Sequence, residues 1–109
     1  MTFLMDYRDS KIEEKLKKRK GFISTADLIG EAKAFAEDSA KKAITEYEVV
    51  FFAGMWSACG NLEKKGAEYL DSLMSDAQSK IERDDDNSDL DEIRLDGMLY
   101  CYSIIKGLI

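Results

Sequence analysis

The stretch from Tyr47 to Cys59, YEVVFFAGMWSAC, is apolar on almost every side and holds the only tryptophan, Trp56. A helix that is apolar all round is buried by other elements rather than laid on a surface. We therefore predict that this stretch is the central helix of a small helical bundle. A strand over Ile44 to Ala53 is the alternative, because Ile, Val, Phe and Tyr favour strands. The chain offers no second convincing alternating segment to pair with such a strand.

Length and composition point to one helical domain. The 109 residues match the length of a single domain. Proline, a residue typical of loops and strand edges, is absent, and the abundant Ala, Glu, Lys and Leu favour helix. The predicted fold is all-α, an antiparallel bundle of three to four helices with a long central helix, spanning residues 1–109 as a single domain.

Local signals mark the ends of the first two helices. The first helix is predicted over residues 3–20, and Gly21 follows its basic end as a glycine that closes a helix in the left-handed conformation. Ser24 and Asp27 have capping-box spacing and predict the start of the second helix.

The second half of the chain is less clearly divided. Gly60-Asn61 is a break signal, yet the helical phase can run through it, so residues 26–83 form either one long helix or two. The polar segment 83–89 is the obvious connector, and a strongly apolar last helix follows it.

Aromatic and methionine side chains near the centre of the chain and in the last helix could in principle line a small-molecule pocket. Such side chains at helical spacing more often form a core. We therefore assign to the core the residues Phe51, Phe52, Met55, Trp56, Tyr100 and Tyr102.

The residue types exclude several kinds of active site. Histidine is absent, which removes Ser-His-Asp and Cys-His catalysis, imidazole metal sites and the Glu-x-x-His motif of di-iron bundles. A calcium loop starting at Asp85 fails, since Leu90 stands where the loop requires glycine and Asp96 replaces the bidentate glutamate. We predict no enzyme activity, and we assign no catalytic, cofactor-binding or metal-binding residue.

Two features favour a cytoplasmic protein without membrane contact. The apolar stretch is shorter than the roughly 20 residues that span a bilayer, and Glu46 and Glu48 lie at its start. The first residues include acids where a signal peptide needs a basic region. In the cytoplasm, Cys59 and Cys101 are expected to be free, buried thiols because each lies within an apolar run.

Charge is unevenly distributed along the chain. Residues 1–20 carry a net charge of +3 and the remainder −9, which gives −6 in total. Phosphate repels an acidic body, so nucleic-acid binding would rest on the basic first helix alone. Ala32 to Ala43 also has no Arg, Asn or Gln to contact bases. Nucleic acid is therefore a disfavoured partner, and the basic helix meets either a protein partner or its own acidic chain.

The favoured function is a small acidic, non-enzymatic protein-binding module. We expect an inhibitor or neutralising protein, of the immunity or the phage or mobile-element anti-defence type, that occupies a basic surface of another protein. Complementary charge raises the association rate of such a pair, and apolar anchors slow its dissociation. The predicted partner-binding residues are Glu82, Asp84, Asp85, Asp86, Asp89, Asp91 and Glu92.

The alternative is a self-associating structural or regulatory bundle, for example a homodimer. Apolar residues cover more than one face of the last helix, and contiguous apolar surface usually marks an association site. The predicted self-association residues are Tyr102, Ile105, Leu108 and Ile109.

Overall fold

A computed structural model describes residues 11–19, 21–83 and 89–109 of the chain. Over these residues the polypeptide forms five α-helices joined by short connections. In chain order they are α1 (Lys11–Arg19), α2 (Thr25–Lys42), α3 (Glu46–Lys65), α4 (Leu70–Arg83) and α5 (Asp89–Leu108), with a 3₁₀ turn at Ala67–Tyr69. The all-α prediction is confirmed, with five helices in place of the three or four expected.

Side-chain caps and a left-handed glycine set the first helix ends. Gly21 has a φ of 90°, as predicted for a residue that follows a helix C-terminus. The hydroxyl of Ser24 accepts a hydrogen bond from the Asp27 amide at 3.1 Å, which confirms the predicted cap of α2. Thr45 makes the equivalent bond with the Glu48 amide at 3.2 Å and begins α3. This second cap was not predicted.

The middle of the chain forms three separate helices. An extended connection around Ala43 and Thr45 interrupts the expected run from α2 into the central stretch. The break signal at Gly60-Asn61 lies inside α3, and the helix ends instead at Gly66, whose φ of 101° favours glycine. The strand alternative is wrong, since α3 is helical from Glu46 onward and no strand occurs in the described ranges.

The centre of the molecule is a close crossing of α3 and α5. A Cβ atom on Gly54 would collide with the carbonyl oxygen of Arg94, and one on Gly97 would collide with the carbonyl oxygen of Phe51. Each glycine therefore lets the other helix's backbone occupy the space that a side chain would fill. Phe51 on α3 and Tyr102 on α5 are among the largest completely buried side chains.

Helices that are neighbours in sequence run antiparallel where their contacts define a direction. In α2 and α3, Ile29 lies near Leu62 whereas Ala40 lies near Phe52. In α4 and α5, Asp71 pairs with Lys106 at 2.8 Å, while the other ends of the two helices approach each other near Asp96.

The basic helix α1 packs on its own chain. Ile12 and Leu16 are buried in the core, and α1 contacts α2 and α5. The Arg19 guanidinium lies 3.0 Å from a carboxylate oxygen of Glu31 on α2. This ion pair supports the expectation that the basic helix meets an acidic group of its own chain.

Candidate protein-binding surfaces

An apolar groove runs between α2 and α3 on the outside of the molecule. It has a volume of about 310 Å³. Its floor is made of small side chains at Ala36, Ala40 and Ala53, and Phe52 and Trp56 form its aromatic wall. The charged side chains Glu37 and Lys41 line its rim, and they form an ion pair one helical turn apart, 3.6 Å between Nζ and Oε1.

The groove exists because α3 is apolar on two sides and only one of them is covered by α5. Phe51, Met55 and Leu62 face the core and are almost completely buried. Val49, Ala53 and Trp56 recur at spacings of four and three residues on the opposite side, and all three are exposed. We call these three residues the exposed stripe of α3.

Trp56 is the largest side chain of the exposed stripe. It is 45% exposed, which corrects the sequence-based assignment of this residue to the core. The Nζ atom of Lys33 lies 4.9 Å from the centre of the indole ring, within the range of a cation–π contact. The same ammonium group lies 3.0 Å from Glu63. Lys33 thus contacts both the indole of Trp56 and the carboxylate of Glu63, and Trp56 also lines the groove.

The other five residues assigned to the core divide by depth. Phe51, Met55 and Tyr102 are buried, and Phe52 and Tyr100 are half-buried and packed against the core. Phe51 contacts Phe52 edge-on, with ring centres 5.5 Å apart, and lies 5.8 Å from the ring of Tyr100. Phe52 thereby links the central crossing to the groove, so an occupant of the groove would touch the edge of the core.

The predicted acidic contact surface lies on the hairpin formed by α4 and α5. Its described members, Glu82, Asp89, Asp91 and Glu92, are exposed, and the side-chain amide of Gln78 donates to Glu82 at 3.0 Å. The three remaining predicted contact residues fall outside the described residues: Asp84, Asp85 and Asp86.

The α4–α5 hairpin carries the chain's negative charge. Residues 71–96 contain ten acidic and three basic residues, a net charge of −7, whereas the whole chain carries −6. Asp89, Asp91 and Glu92 lie in the first turn of α5, where they also stabilise the positive end of the helix dipole. These acids therefore serve the helix and create a strongly negative surface at the same time.

Three of the four predicted self-association residues are part of the chain's own core. Tyr102 and Ile105 are completely buried and Leu108 is 5% exposed, whereas Ile109 is 57% exposed. The apolar faces of the last helix are covered by neighbouring helices of the same chain. As the chain is folded here, only Ile109 of this group is available to a second copy.

A small polar cluster lies one turn beyond the α3–α5 crossing. The sulfur atoms of Cys59 and Cys101 are 3.2 Å apart and both residues are buried and free. The expectation that both cysteines are buried is therefore confirmed. The Asn61 side-chain amide donates to the Tyr102 hydroxyl at 3.1 Å, which satisfies a polar atom that burial would otherwise leave without a partner.

Alkaline pH is expected to destabilise the fold through this cluster. The hydrogen bond with Cys59 and burial raise the pKa of the Cys101 thiol well above its ordinary value of 9.0. Burial raises the pKa of Tyr102 above 10.0, although the Asn61 hydrogen bond acts in the opposite direction. The folded chain then keeps protons that the unfolded chain has released. Stability is therefore full below about pH 9 and falls above it, by at most about 1.4 kcal/mol per pH unit for each group.

Urea unfolding between pH 8 and pH 11 measures this effect, with Tyr102→Phe as the matched variant. At pH 8 the free energy of unfolding of the variant is expected to be about 1 kcal/mol lower, because the hydrogen bond to Asn61 is lost. Above pH 10 the stability of the variant is expected to fall less steeply than that of the wild type. A wild-type stability that stays constant from pH 8 to pH 11 would contradict the prediction.

The described ranges contain neither a cluster of metal ligands nor a helix that could span a membrane. No group of three or more Cys, Asp and Glu side chains there is placed to hold a metal ion. None of the described helices combines the length and the apolar character needed to cross a bilayer. The calcium-loop alternative depends on Asp85 and Asn87, which lie outside the described residues.

The groove, the exposed stripe of α3 and the acidic hairpin are thus the candidate binding surfaces. The sequence indicated the acids by their density, but it missed the groove, because burial of one face of α3 rather than another depends on contacts between distant helices. Comparison with protein-family models, curated proteins and solved structures finds no match for this chain.

Proposed function

We propose that the protein is a small, non-enzymatic protein-binding module that holds an apolar segment of a basic partner protein in the α2–α3 groove. The observation that carries this proposal is the exposed stripe of α3, whose largest side chain, Trp56, also lines the groove. Monomeric proteins rarely leave a contiguous apolar surface uncovered, and tryptophan is the residue type most enriched among binding hot spots.

The shape of the groove fits an amphipathic helix of the partner. Two antiparallel helices form its walls, and a third helix can lie between them with its apolar face inward. The alanines at positions 36, 40 and 53 allow the backbone of that helix to approach closely. Trp56 and Phe52 then offer aromatic area to the partner's apolar anchors.

The charge of the chain favours a basic partner over a second copy. Two copies would each carry −6, and residues 71–96 alone carry −7. Like charge opposes self-association, while opposite charge accelerates encounter with a basic protein. Burial of Tyr102, Ile105 and Leu108 also removes most of the predicted dimer surface. The acids of the hairpin therefore steer the partner, and the groove retains it.

By covering a basic surface, such a module acts as an inhibitor or neutralising protein. The immunity and anti-defence types expected from the sequence are the specific roles that we propose. The small size, the net charge of −6 and the apolar groove support them. A self-associating bundle is the second candidate, since the exposed stripe of α3 is a surface that another copy would also cover.

A pull-down with a matched pair of variants tests the groove. Ala53→Arg places a long cationic side chain on the groove floor, whereas Ala34→Arg makes the same substitution at an exposed position of α2 that lines neither the groove nor the acidic hairpin. Lysates of the source organism, and of its host or competitor, are passed over each bait at low and moderate salt. The expected result is a protein that wild type and Ala34→Arg recover, that Ala53→Arg does not recover, and that is released as the salt concentration rises.

Circular dichroism of each bait confirms that the variants are folded. Recovery of the same protein by folded Ala53→Arg would overturn the groove as the binding site. Release that does not depend on salt, or unchanged binding by Glu92→Lys, would overturn steering by the hairpin. Recovery of this protein alone, with a concentration-dependent mass in solution, would favour the self-associating bundle.

A further inference from the structure

The sulfur atoms of Cys59 on α3 and Cys101 on α5 lie 3.2 Å apart in the interior. The two cysteines are 42 positions apart in the sequence. A disulfide bond needs the sulfurs at about 2.05 Å and the two backbones within about 7 Å of each other. Closing the remaining gap of roughly 1 Å needs only small rotations of the two side chains. The pair is therefore already arranged in the geometry that precedes a bond.

The glycine crossing brings the two backbones together close to the cysteines. Gly54 and Gly97 lie about one helical turn before the two cysteines, and each brings its helix into backbone contact with the other. The contact between the two sulfur atoms shows that the helices are still close about one turn beyond the glycines. The crossing thus holds the cysteines together without relying on their own side chains.

We propose that Cys59 and Cys101 are a redox-convertible pair that forms an intramolecular disulfide between α3 and α5 when the protein meets an oxidising thiol–disulfide environment. The oxidant is a low-molecular-weight disulfide such as oxidised glutathione. One cysteine thiolate attacks it and releases one small thiol; the second cysteine attacks the mixed disulfide and releases the other. One S–S bond forms in the protein as one breaks in the oxidant, and the two protein thiols give up two protons.

Access determines how quickly this conversion occurs. Both cysteines are at most 1% exposed, and a thiolate rather than a thiol is the nucleophile. Exchange with a small disulfide therefore requires a local opening of the α3–α5 contact. The pair remains as two thiols in compartments that the cell keeps reducing. In oxidising surroundings it forms a disulfide that cross-links the core.

The test equilibrates the folded protein in glutathione buffers of increasing oxidising strength. Conversion is followed by intact mass, which falls by the mass of two hydrogen atoms, and by loss of maleimide labelling in denaturant. The expected product is a monomer with one Cys59–Cys101 disulfide, identified by the linked tryptic peptides. Its melting temperature is expected to rise by on the order of 10 °C relative to the reduced protein, because the bond closes a long loop of the unfolded chain.

Cys59→Ala and Cys101→Ala are the paired controls, and neither is expected to change its melting temperature with the buffer. If either variant fails to fold, two measurements on the wild type test whether the disulfide forms. They are the peptide map and the melting temperature of the oxidised protein with and without dithiothreitol. Two free thiols after equilibration, stable glutathione adducts, or disulfide-linked dimers in place of the intramolecular bond would each overturn the proposal.

Discussion

Replacement of Gly97 by alanine is expected to destabilise the protein by about 3 kcal/mol, near the upper end of what overpacking of a core costs. The added Cβ would collide with the carbonyl oxygen of Phe51. That oxygen belongs to the backbone of α3 and cannot rotate away as a flexible side chain would, so the helices must separate. The loss outweighs the gain of up to about 1 kcal/mol that alanine brings to a helix interior.

Gly60→Ala is the matched control on α3. A Cβ at this position would have no described atom of a neighbouring element within 4 Å. The same substitution is therefore expected to stabilise the protein by about 0.5–1 kcal/mol through helix propensity alone. Urea unfolding, monitored by circular dichroism at 222 nm, measures both changes. Equal effects at Gly97 and Gly60 would show that α3 and α5 do not cross in backbone contact.

Replacement of Ile105 by glutamate is expected to unfold the protein or to destabilise it by on the order of 5 kcal/mol, because a carboxylate would enter an apolar interior. Ile105 is completely buried in a cluster of apolar side chains. A loss of that size is comparable with the whole stability of a small domain. Loss of the helical signal at 222 nm, or a much lower urea midpoint, is the expected observation.

Ile109→Glu provides the control four residues further along the chain. Its side chain is 57% exposed, so a change within about 0.5 kcal/mol is expected. Size-exclusion chromatography with light scattering separates the two interpretations of the C-terminal residues. If Ile105→Glu remained folded and turned a wild-type dimer into a monomer, Ile105 would belong to a self-association surface and not to the core described here.

The sequence by itself determined the features that depend on a few neighbouring residues. The helical class follows from composition and periodicity, and the cap at Ser24 and the left-handed Gly21 follow from local hydrogen bonding and backbone sterics. Burial of the two cysteines followed from their apolar neighbours. The cap at Thr45 was missed, although it is a local feature, because the apolar pattern on both sides of it predicts a continuous helix.

Only the tertiary structure decided which apolar faces are covered. Both α3 and α5 are apolar on more than one side, and periodicity alone does not choose among those sides. The glycines at positions 54 and 97 let the two helices meet backbone to backbone, which buries Tyr102 and Ile105 and leaves Trp56 on the outside. Contact between distant helices therefore places the candidate site in the α2–α3 groove, because side chains far apart in sequence compete for the same limited interior.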